Sequence, residues 1–376
     1  MTRALRIAQV APPMERVPPR AYGGTERIVH ELAAELDRRG HEVTTFASGD
    51  SEVAGRLIPT VPNALRPAGY DGDAAPWFYL TIQAVLDRAA EFDIIHSHLE
   101  WASCLLSRVS PVPVVSTFHG RIDLPWAAES LANAGGALVA ISANQASTNP
   151  DVAWAGVVHN GLTLDGAPFE RRRGDGLCFV GRVAPEKGII EAIEIAKATG
   201  RTLRIAAKSG PAPAERDYLE NVFRPALRAA GTAVEYLGEV EQAERDELFA
   251  GSCAALMPGS WPEPFGLVAI EALATGTPVI ARRVGALPEI IRDGIDGFFG
   301  DDIDQLAYQV GRIDTLDRMA IRQSVLVRFS AARMTDGYEA VYRRTLEPAG
   351  DESGGPTSVR SGTSGIRHLT ALEVPA

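Results

Sequence analysis

Short apolar segments with strand-like composition alternate with amphipathic helical segments along most of this chain, and the alternation occurs twice. In the first half, strands are expected over 5–11, 42–47, 94–98, 114–119, 137–142 and 156–159, and the clearest helix over 24–39. After a turn-rich segment over 161–175, strands are expected over 177–181, 202–207, 234–237, 254–257 and 278–281. Because such alternation builds βαβ units, the sequence predicts an α/β fold with two Rossmann-like domains, parallel sheets and a cleft between their strand ends.

These patterns divide the chain into four parts. The predicted boundaries are 1–163 for an N-terminal domain, 164–330 for a C-terminal domain and 331–346 for a last amphipathic helix. The remaining segment, 347–376, is expected to be disordered, because it is rich in Gly, Ser and Thr over 349–365.

Composition excludes several classes of protein. The 376 residues include 37 Lys and Arg against 48 Asp and Glu, a formal net charge of −11, which argues against a nucleic-acid partner. No apolar run approaches the roughly 18–20 residues that span a bilayer. Cys104, Cys178 and Cys253 are far apart and form no CxxC pair, so neither a disulfide framework nor a zinc site is expected. We therefore expect a cytoplasmic protein.

Two carboxylates, Glu263 and Glu271, flank the start of a helix that Gly266 is predicted to open. The free backbone N–H groups at such a start suit a phosphate or a sugar hydroxyl, and here they belong to Phe265, Gly266, Leu267 and Val268. An isolated pair of this spacing is ordinarily a surface carboxylate and a solvated helix residue. The Pro-Phe-Gly opening and the Gly-Thr-Pro over 276–278 favour a ligand site instead.

Two cations, Arg182 and Lys187, lie in a predicted strand-to-helix loop. There they could neutralise a diphosphate without a metal, although two exposed surface cations would give the same pattern.

The loop after the first strand is unusually long and rich in proline, and it ends in Gly23 and Gly24. Its glycines permit close approach to a ligand at a second helix start, with a stiff surface loop as the alternative. Its sequence is not GxGxxG, which disfavours a dehydrogenase.

Histidines end two of the predicted buried strands. His119 lies at the carboxyl end of one, where α/β sites are found, and could hydrogen-bond a sugar hydroxyl. The roles of His96 and His98 are left open between function and structure. Asp71 and Asp73 resemble a metal-binding pair, but no apolar strand precedes them, so a loop is expected and no metal site is predicted.

Together and in this order, these motifs resemble the retaining glycosyltransferases of family 4, which have the GT-B architecture of two facing Rossmann-like domains. The resemblance covers about residues 4–346 and includes a closing helix that, in the family, crosses back to the first domain. The motifs that carry it are Gly23-Gly24, Phe118 to Gly120, Ile141-Ser142, Asn160-Gly161, Gly181-Arg182, Glu186 to Gly188, Glu263 to Glu271, Gly276 to Pro278, Gly285 to Glu289 and Gly294 to Phe298.

The resemblance implies transfer of a hexose from a nucleotide-diphosphate sugar with retention at the anomeric carbon. The acceptor is expected to attack on the same face that the diphosphate leaves, with no cofactor or metal. In the family's terms Arg182 and Lys187 hold the diphosphate, helped by the Gly23-Gly24 loop and by the amides of Leu267 and Val268. Glu263 binds sugar hydroxyls beside the Phe265 and Gly266 amides. His119 contacts the sugar near its 6-position. Glu271 grips the ribose, and Glu289 supports the sugar region.

The donor is expected to be UDP-glucose, with GDP-mannose as the alternative. Its base would lie against a loop containing Gly238, Glu239 and Val240. Lys208 departs from the family's glycine-rich turn and could add a third cation. With Trp261, it resembles a subgroup of antibiotic-pathway and pterin glucosyltransferases.

The acceptor is expected to be a soluble small molecule or saccharide. Its candidate contacts in the N-terminal domain are Tyr22, Glu100, Trp101 and Trp126. Because no basic amphipathic helix is evident, no stable membrane association is expected. A monomer and a homodimer remain open. The alternatives to a transferase are a sugar-nucleotide epimerase or phosphorylase of the same fold and a silent nucleotide-sugar-binding subunit.

Overall fold

The structure is a computed structural model of the chain, and it describes residues 3–20, 23–169, 174–210 and 212–347. Tyr22, Arg171 to Arg173 and all of the predicted tail beyond Glu347 lie outside the described residues. No helix within these ranges is both long and apolar enough to cross a membrane.

The first half of the chain forms a seven-stranded parallel sheet with the strand order β3-β2-β1-β4-β5-β6-β7. Its strands are β1 Arg6–Val10, β2 Glu42–Ser48, β3 Arg56–Val61, β4 Ile94–Ser97, β5 Val114–Phe118, β6 Ala137–Ala140 and β7 Trp154–Val157. Its helices are α1 Gly24–Arg38, α2 Ala75–Leu86, α3 Ala102–Val109, α4 Ala127–Ala132 and α5 Ala143–Ser147, with a 3-10 turn at Ala89–Glu91.

The second half forms a six-stranded parallel sheet with the order β10-β9-β8-β11-β12-β13. Its strands are β8 Leu177–Arg182, β9 Leu203–Lys208, β10 Val234–Gly238, β11 Ala254–Met257, β12 Val279–Ala281 and β13 Gly297–Phe299. Its helices are α6 Ile189–Thr199, α7 Pro213–Tyr218, α8 Arg224–Ala230, α9 Gln242–Ala250, α10 Leu267–Ala274, α11 Leu287–Ile290, α12 Ile303–Val310 and α13 Arg318–Arg328. Short turns of helix lie at Pro185–Lys187, Leu219–Phe223, Gly231–Ala233 and Ile313–Thr315.

Helices cover both faces of the sheets, which explains why inner strands such as β4, β5 and β12 are buried along their length and do not alternate in burial. Helix α1 shows how the layers join, because Ile28, Leu32 and Leu36 recur at helical spacing and are fully buried in one core with Ile7 of β1. The predicted α/β fold with two Rossmann-like parallel-sheet halves is confirmed.

The last helix, α14 Ala331–Leu346, returns to the first half of the chain. The amide of Leu162 donates to the carbonyl of Phe329 at 3.0 Å, so the chain leaves and re-enters the first half at one place. Tyr338 and Tyr342 of α14 are then completely buried beneath the first sheet, and Arg344 donates to the carbonyl of Ala155 at 2.9 Å.

Two strands were not predicted. The segment 56–61 is an edge strand that contains Pro59 and is only partly buried, so it lacks the apolar run on which strand prediction depends. Strand Gly297–Phe299 has three residues, which is too short to show a period. The domain boundaries at 163, 330 and 346 stay predictions.

Candidate functional site

A cleft of about 490 Å³ lies between the two sheets, at the carboxyl ends of their strands. Of the predicted site residues, those that line it are Gly23, Gly24, Glu100, His119, Arg182, Lys187, Glu263, Phe265, Gly266, Leu267 and Val268. The loops after β1 and β5 therefore face the loops after β8 and β11 across one cavity. Motifs that are far apart along the chain therefore share this space.

The start of α10 forms part of the cleft wall on the C-terminal side. Gly266 caps this helix with φ +116°, a conformation that glycine adopts without strain, and a Cβ there would come within 3.0 Å of Leu287 Cδ2. The first-turn amides of Leu267 and Val268 are consequently available at the helix N-terminus, where partial positive charge accumulates. This arrangement can bind an anion or a hydroxyl oxygen.

Glu263 is held in place by close backbone packing. The Glu263 carbonyl accepts a hydrogen bond from Ala286 N at 2.9 Å. A Cβ on Gly285 would lie 2.4 Å from the Glu263 backbone nitrogen, so only glycine allows this approach. Ser142 Oγ of the first half donates to the Pro264 carbonyl at 2.7 Å, which fixes this segment relative to the facing wall.

Each candidate diphosphate cation is paired with a carboxylate. Lys187 Nζ lies 2.5 Å from Glu263 Oε1, and both side chains are about one-fifth exposed. The Arg182 guanidinium contacts Glu186 at 2.9 Å and Glu215 at 2.6 Å. To bind a phosphate, Arg182 and Lys187 would therefore have to share their contacts with these carboxylates or give them up. The positive charges of Arg182 and Lys187 are thus partly neutralised by neighbouring carboxylates.

Glu271 does not line the main cleft but a neighbouring cavity of about 270 Å³, with Gln242 and Asp246. Arg245 contacts its carboxylate at 2.9 Å, and Arg27 of α1 forms a second ion pair with it from the opposite half of the chain. Burial by itself raises the pKa of Glu271, but the two guanidinium groups more than offset this, so its pKa lies below the usual range.

The predicted base-binding residues also lie outside the main cleft lining. Lys208 Nζ, at the end of β9, contacts Glu239 Oε1 at 3.2 Å. Gly238 ends β10 with φ +76°, and Val240 follows in the connection to α9. Because Gln242 at the start of α9 borders the second cavity, this loop lies toward Glu271.

Glu100 and His119 form a polar corner on the N-terminal wall. Glu100 has φ +52°, which is uncommon for a residue other than glycine, and its Oε1 accepts hydrogen bonds from the His119 amide at 2.9 Å and the Gly120 amide at 3.2 Å. Burial raises the pKa of Glu100 to about 7 in spite of these donors. Burial lowers the pKa of His119 to about 3, so its imidazole is neutral near pH 7.

Two predicted acceptor residues do not reach the cleft lining. The Trp101 ring packs 5.1 Å from Phe118 and 4.4 Å from Trp126, in a cluster behind the end of β5. Trp126 is about half exposed there. The aromatic character that marked them as ligand contacts is used for packing in this cluster.

Among the charged residues that line the cleft, sequence reasoning missed Glu26 and Arg66. Glu26 is buried in the first turn of α1, two residues after Gly24, and burial raises its pKa to about 7. Its position beside the glycine loop could have marked it. Nothing in the local sequence around Arg66 signals a site.

Glu289 joins the two halves of the chain. Its carboxylate accepts hydrogen bonds from the amides of Ala143 at 2.9 Å and Asn144 at 2.7 Å, and it lies 2.8 Å from His159 Nε2. These contacts occupy both oxygens of Glu289. The residue therefore sets how the walls meet, outside the cleft lining.

Comparison with known proteins agrees with this geometry. Residues 22–162 match the family model Glycosyltransferase Family 4, and residues 170–316 match Glycosyl transferases group 1. A glycogen synthase of Mycobacterium tuberculosis H37Rv is 28% identical over 74% of this chain and 79% of its own. A D-inositol 3-phosphate glycosyltransferase of Streptomyces griseus is 29% identical over 77% of this chain and 76% of its own.

Solved structures show the same architecture. AviGT4, a glycosyltransferase involved in avilamycin A biosynthesis, aligns with a TM-score of 0.65 and 24% identity over 91% of this chain and 98% of its own. Anabaena HepE, solved in complex with UDP and glucose, aligns with a TM-score of 0.69 and 18% identity over 89% and 98%. The two family models together match more than half of the residues. The chain therefore belongs to glycosyltransferase family 4, and it is a nucleotide-sugar-dependent hexosyltransferase with the GT-B fold.

Proposed function

We propose that this enzyme transfers glucose from UDP-glucose to a soluble small-molecule or saccharide acceptor, with retention of configuration and without a metal. The observation that carries the proposal is the convergence of Arg182, Lys187 and the α10 N-terminus on one wall of the cleft, opposite His119 and Glu100. The choice of UDP and glucose is supported by HepE, which has been solved with both.

The proposed chemistry is mainly electrostatic. Departure of the nucleoside diphosphate develops negative charge on its terminal phosphate. The Arg182 and Lys187 side chains, together with the amides of Leu267 and Val268, supply positive charge that is already oriented. Lys208 is proposed to contribute further along the diphosphate. Two cations and a helix start in one cavity supply the neutralisation that a divalent ion would otherwise provide.

Retention is proposed to occur by same-face attack, with the leaving phosphate accepting the proton of the acceptor hydroxyl. Among the described residues, the carboxylates that line the cleft are Glu26, Glu100, Glu186 and Glu263. Glu263 is ion-paired to Lys187 and Glu186 to Arg182, which lowers their nucleophilicity. Glu263 is instead proposed to hold hydroxyls of the transferred sugar, beside the Phe265 and Gly266 amides.

The nucleoside is proposed to extend from the cleft past α10 toward the second cavity. Glu271 would there accept hydrogen bonds from the ribose hydroxyls, and the base would lie against Gly238, Glu239 and Val240. This placement is supported by Gln242, which shares the cavity with Glu271 and follows that loop directly. Arg27 would have to share the Glu271 carboxylate with the ribose.

The acceptor is proposed to bind against the N-terminal wall. Glu100 is suited to orient an acceptor hydroxyl, because Glu100 lines the cleft and its Oε1 is fixed by two amides. Phe78 and Met14 add apolar surface to the same wall, which fits a ring or alkyl portion of the acceptor. Tyr22, Trp101 and Trp126 remain candidates for more remote contacts.

Calorimetric titration with UDP, GDP and ADP, in EDTA and then with magnesium, tests the proposal. We expect UDP to bind in EDTA and UDP-glucose to be turned over when an acceptor is supplied. Arg182→Met is expected to weaken UDP binding by roughly 10- to 100-fold, the loss of a charge-assisted hydrogen bond. The exposed cation Lys197, paired with Glu194 on α6, provides the control Lys197→Met. Preferential binding of GDP, or a strict requirement for magnesium, would contradict the proposal.

A further inference from the structure

A continuous series of hydrogen bonds leads from the cleft through the buried interior of the first half to helix α14. His119 Nε2 lies 2.8 Å from His98 Nδ1, and His98 Nε2 lies 2.9 Å from Gln9 Oε1. Gln9 Nε2 then donates to the Tyr342 hydroxyl at 3.2 Å. Gln9, His98 and Tyr342 have no solvent exposure, so water does not compete for these contacts.

The Gln9 amide determines where the protons lie. An amide oxygen only accepts hydrogen bonds, so His98 Nε2 must carry a proton. Burial lowers the pKa of His98 well below its usual value, and a neutral imidazole has one protonated nitrogen, so His98 Nδ1 is a lone pair. That lone pair accepts from His119 Nε2, which must therefore be protonated. Since His119 is also neutral, its Nδ1 is a lone pair.

The hydrogen bonds on the other side of Gln9 are consistent with the same assignment of donors and acceptors. The Tyr342 hydroxyl, which accepts from Gln9, donates to His96 Nδ1 at 2.7 Å. His96 Nε2 then donates to Thr117 Oγ1 at 2.8 Å, and this hydroxyl donates to the Tyr338 hydroxyl at 3.2 Å. Every donor from His119 to Tyr338 thus finds an acceptor when the Gln9 oxygen faces His98. The last helix thereby takes part in fixing a cleft residue.

We propose that Gln9 and His98 are positioning residues that hold His119 as the Nε2–H tautomer, so that its Nδ1 lone pair accepts a hydrogen bond from a hydroxyl of the transferred sugar. His119 lines the cleft, and within the described ranges its Nδ1 has no hydrogen-bond partner. The sugar part of this inference rests on the proposed function. A lone pair at this position selects a donor sugar with a hydroxyl there and disfavours a carboxylate, which has no proton to offer.

The tautomer can be read directly in the nucleotide-free enzyme. Long-range ¹H–¹⁵N correlation of histidine-labelled protein distinguishes a protonated ring nitrogen from a lone pair, and His119→Gln identifies the His119 signals. We expect His119 protonated on Nε2 in the wild type. Gln9→Met, which offers no acceptor, is expected to give a mixture of tautomers. Gln9→Glu, which still accepts from His98, is expected to keep the wild-type pattern.

Kinetics supply the second readout. We expect Gln9→Met to lower kcat/KM for UDP-glucose roughly 3- to 10-fold, the loss of one neutral hydrogen bond, and Gln9→Glu to restore it. In the wild type, kcat/KM for a UDP-sugar that lacks the C6 hydroxyl should be lower than for UDP-glucose by a similar factor. In Gln9→Met, kcat/KM should be the same for both sugars. Tyr338→Phe, at the far end of the series, is the matched control and should leave the His119 tautomer unchanged.

The outcomes separate this inference from the proposed function. Protonation of His119 on Nδ1 in the wild type would mean that the whole series runs in reverse, and it would overturn the inference even if a variant failed to fold. Identical tautomers in Gln9→Met and the wild type would also overturn it. If His119 shows the expected tautomer but no UDP-sugar binds, the proposed donor is wrong and the positioning role of Gln9 and His98 stands.

Discussion

The ion pair between Lys187 and Glu263 makes a double substitution more informative than a single one. Lys187 Nζ lies 2.5 Å from Glu263 Oε1, and both side chains line the cleft. If Lys187 binds the diphosphate, Lys187→Met removes a charge-assisted hydrogen bond worth about 1.5–3 kcal/mol. It also leaves the Glu263 carboxylate without its partner, beside the bound phosphate. The single substitution therefore combines a lost attraction with a new repulsion.

The size of the repulsion follows from the geometry. A phosphate oxygen in contact with Lys187 would lie within roughly 5 Å of the Glu263 carboxylate, and two unit charges at that separation repel by about 3 kcal/mol at an effective dielectric constant of ~20 and by about 1 kcal/mol in water. Because both side chains are about one-fifth exposed, we expect about 1–2 kcal/mol. The two effects together amount to about 2.5–5 kcal/mol, so Lys187→Met should weaken UDP binding roughly 70- to 5000-fold, and Lys187→Met with Glu263→Gln should recover about 10-fold.

Titration calorimetry of UDP in EDTA measures both effects, with Lys197→Met as the control for a cation outside the cleft. Turnover of UDP-glucose should stay low in the double variant, because Glu263 is proposed to hold sugar hydroxyls. A double variant that binds UDP no better than Lys187→Met would refute the repulsion. Wild-type affinity in Lys187→Met would refute the diphosphate contact itself.

Gly266, Glu26 and Arg27 provide three further predictions, each measured by urea unfolding. Gly266→Ala places a Cβ in a left-handed conformation 3.0 Å from Leu287 and should lower the free energy of unfolding by about 1–2 kcal/mol, so an unchanged midpoint would contradict it. Burial raises the pKa of Glu26 to about 7, so the folded state binds more protons than the unfolded state between about pH 4.5 and 7 and loses stability as the pH rises through this range. Between pH 4.5 and pH 8, the free energy of unfolding of Glu26→Gln should therefore rise by about 3 kcal/mol relative to that of the wild type. A difference between the two proteins that does not change with pH would refute the raised pKa. Arg27→Met removes one of two partners of the buried Glu271 carboxylate and should cost about 1.5–3 kcal/mol, whereas Lys197→Met should cost almost nothing.

Most of the fold and one wall of the cleft could be predicted from local sequence patterns. The strands from Ile94–Ser97 to Ala137–Ala140 and the start of α10 were predictable, because periodicity, glycine and proline act over a few residues. His119 was predictable in the same way, as a polar residue at the end of a buried strand. In each case the signal and the structure it specifies lie in the same short segment.

What could not be predicted depends on residues that are distant in sequence. The Glu271 carboxylate meets Arg27 across 244 positions, and Gln9 meets Tyr342 across 333. Neither pair leaves a local pattern, since a buried arginine in α1 and a tyrosine in α14 look like ordinary members of amphipathic helices. The structural role of His98 was open for the same reason, because it is defined by its contacts with Gln9 and His119.

The two walls of the cleft belong to different sheets, so their alignment has to be set by contacts outside the chemistry. Glu289 binds the amides of Ala143 and Asn144, and Ser142 Oγ binds the Pro264 carbonyl, so all three contacts join the start of α5 to the segments that carry Glu263 and α11. Helix α14 adds a second constraint, because its tyrosines end the hydrogen-bond series that begins at His119. The position of His119 and the position of the segments that carry Glu263 and α11 are therefore controlled by separate parts of the fold. Tyr342→Phe in α14, which removes the acceptor of the Gln9 amide, should accordingly alter sugar recognition at His119 while leaving UDP affinity nearly unchanged.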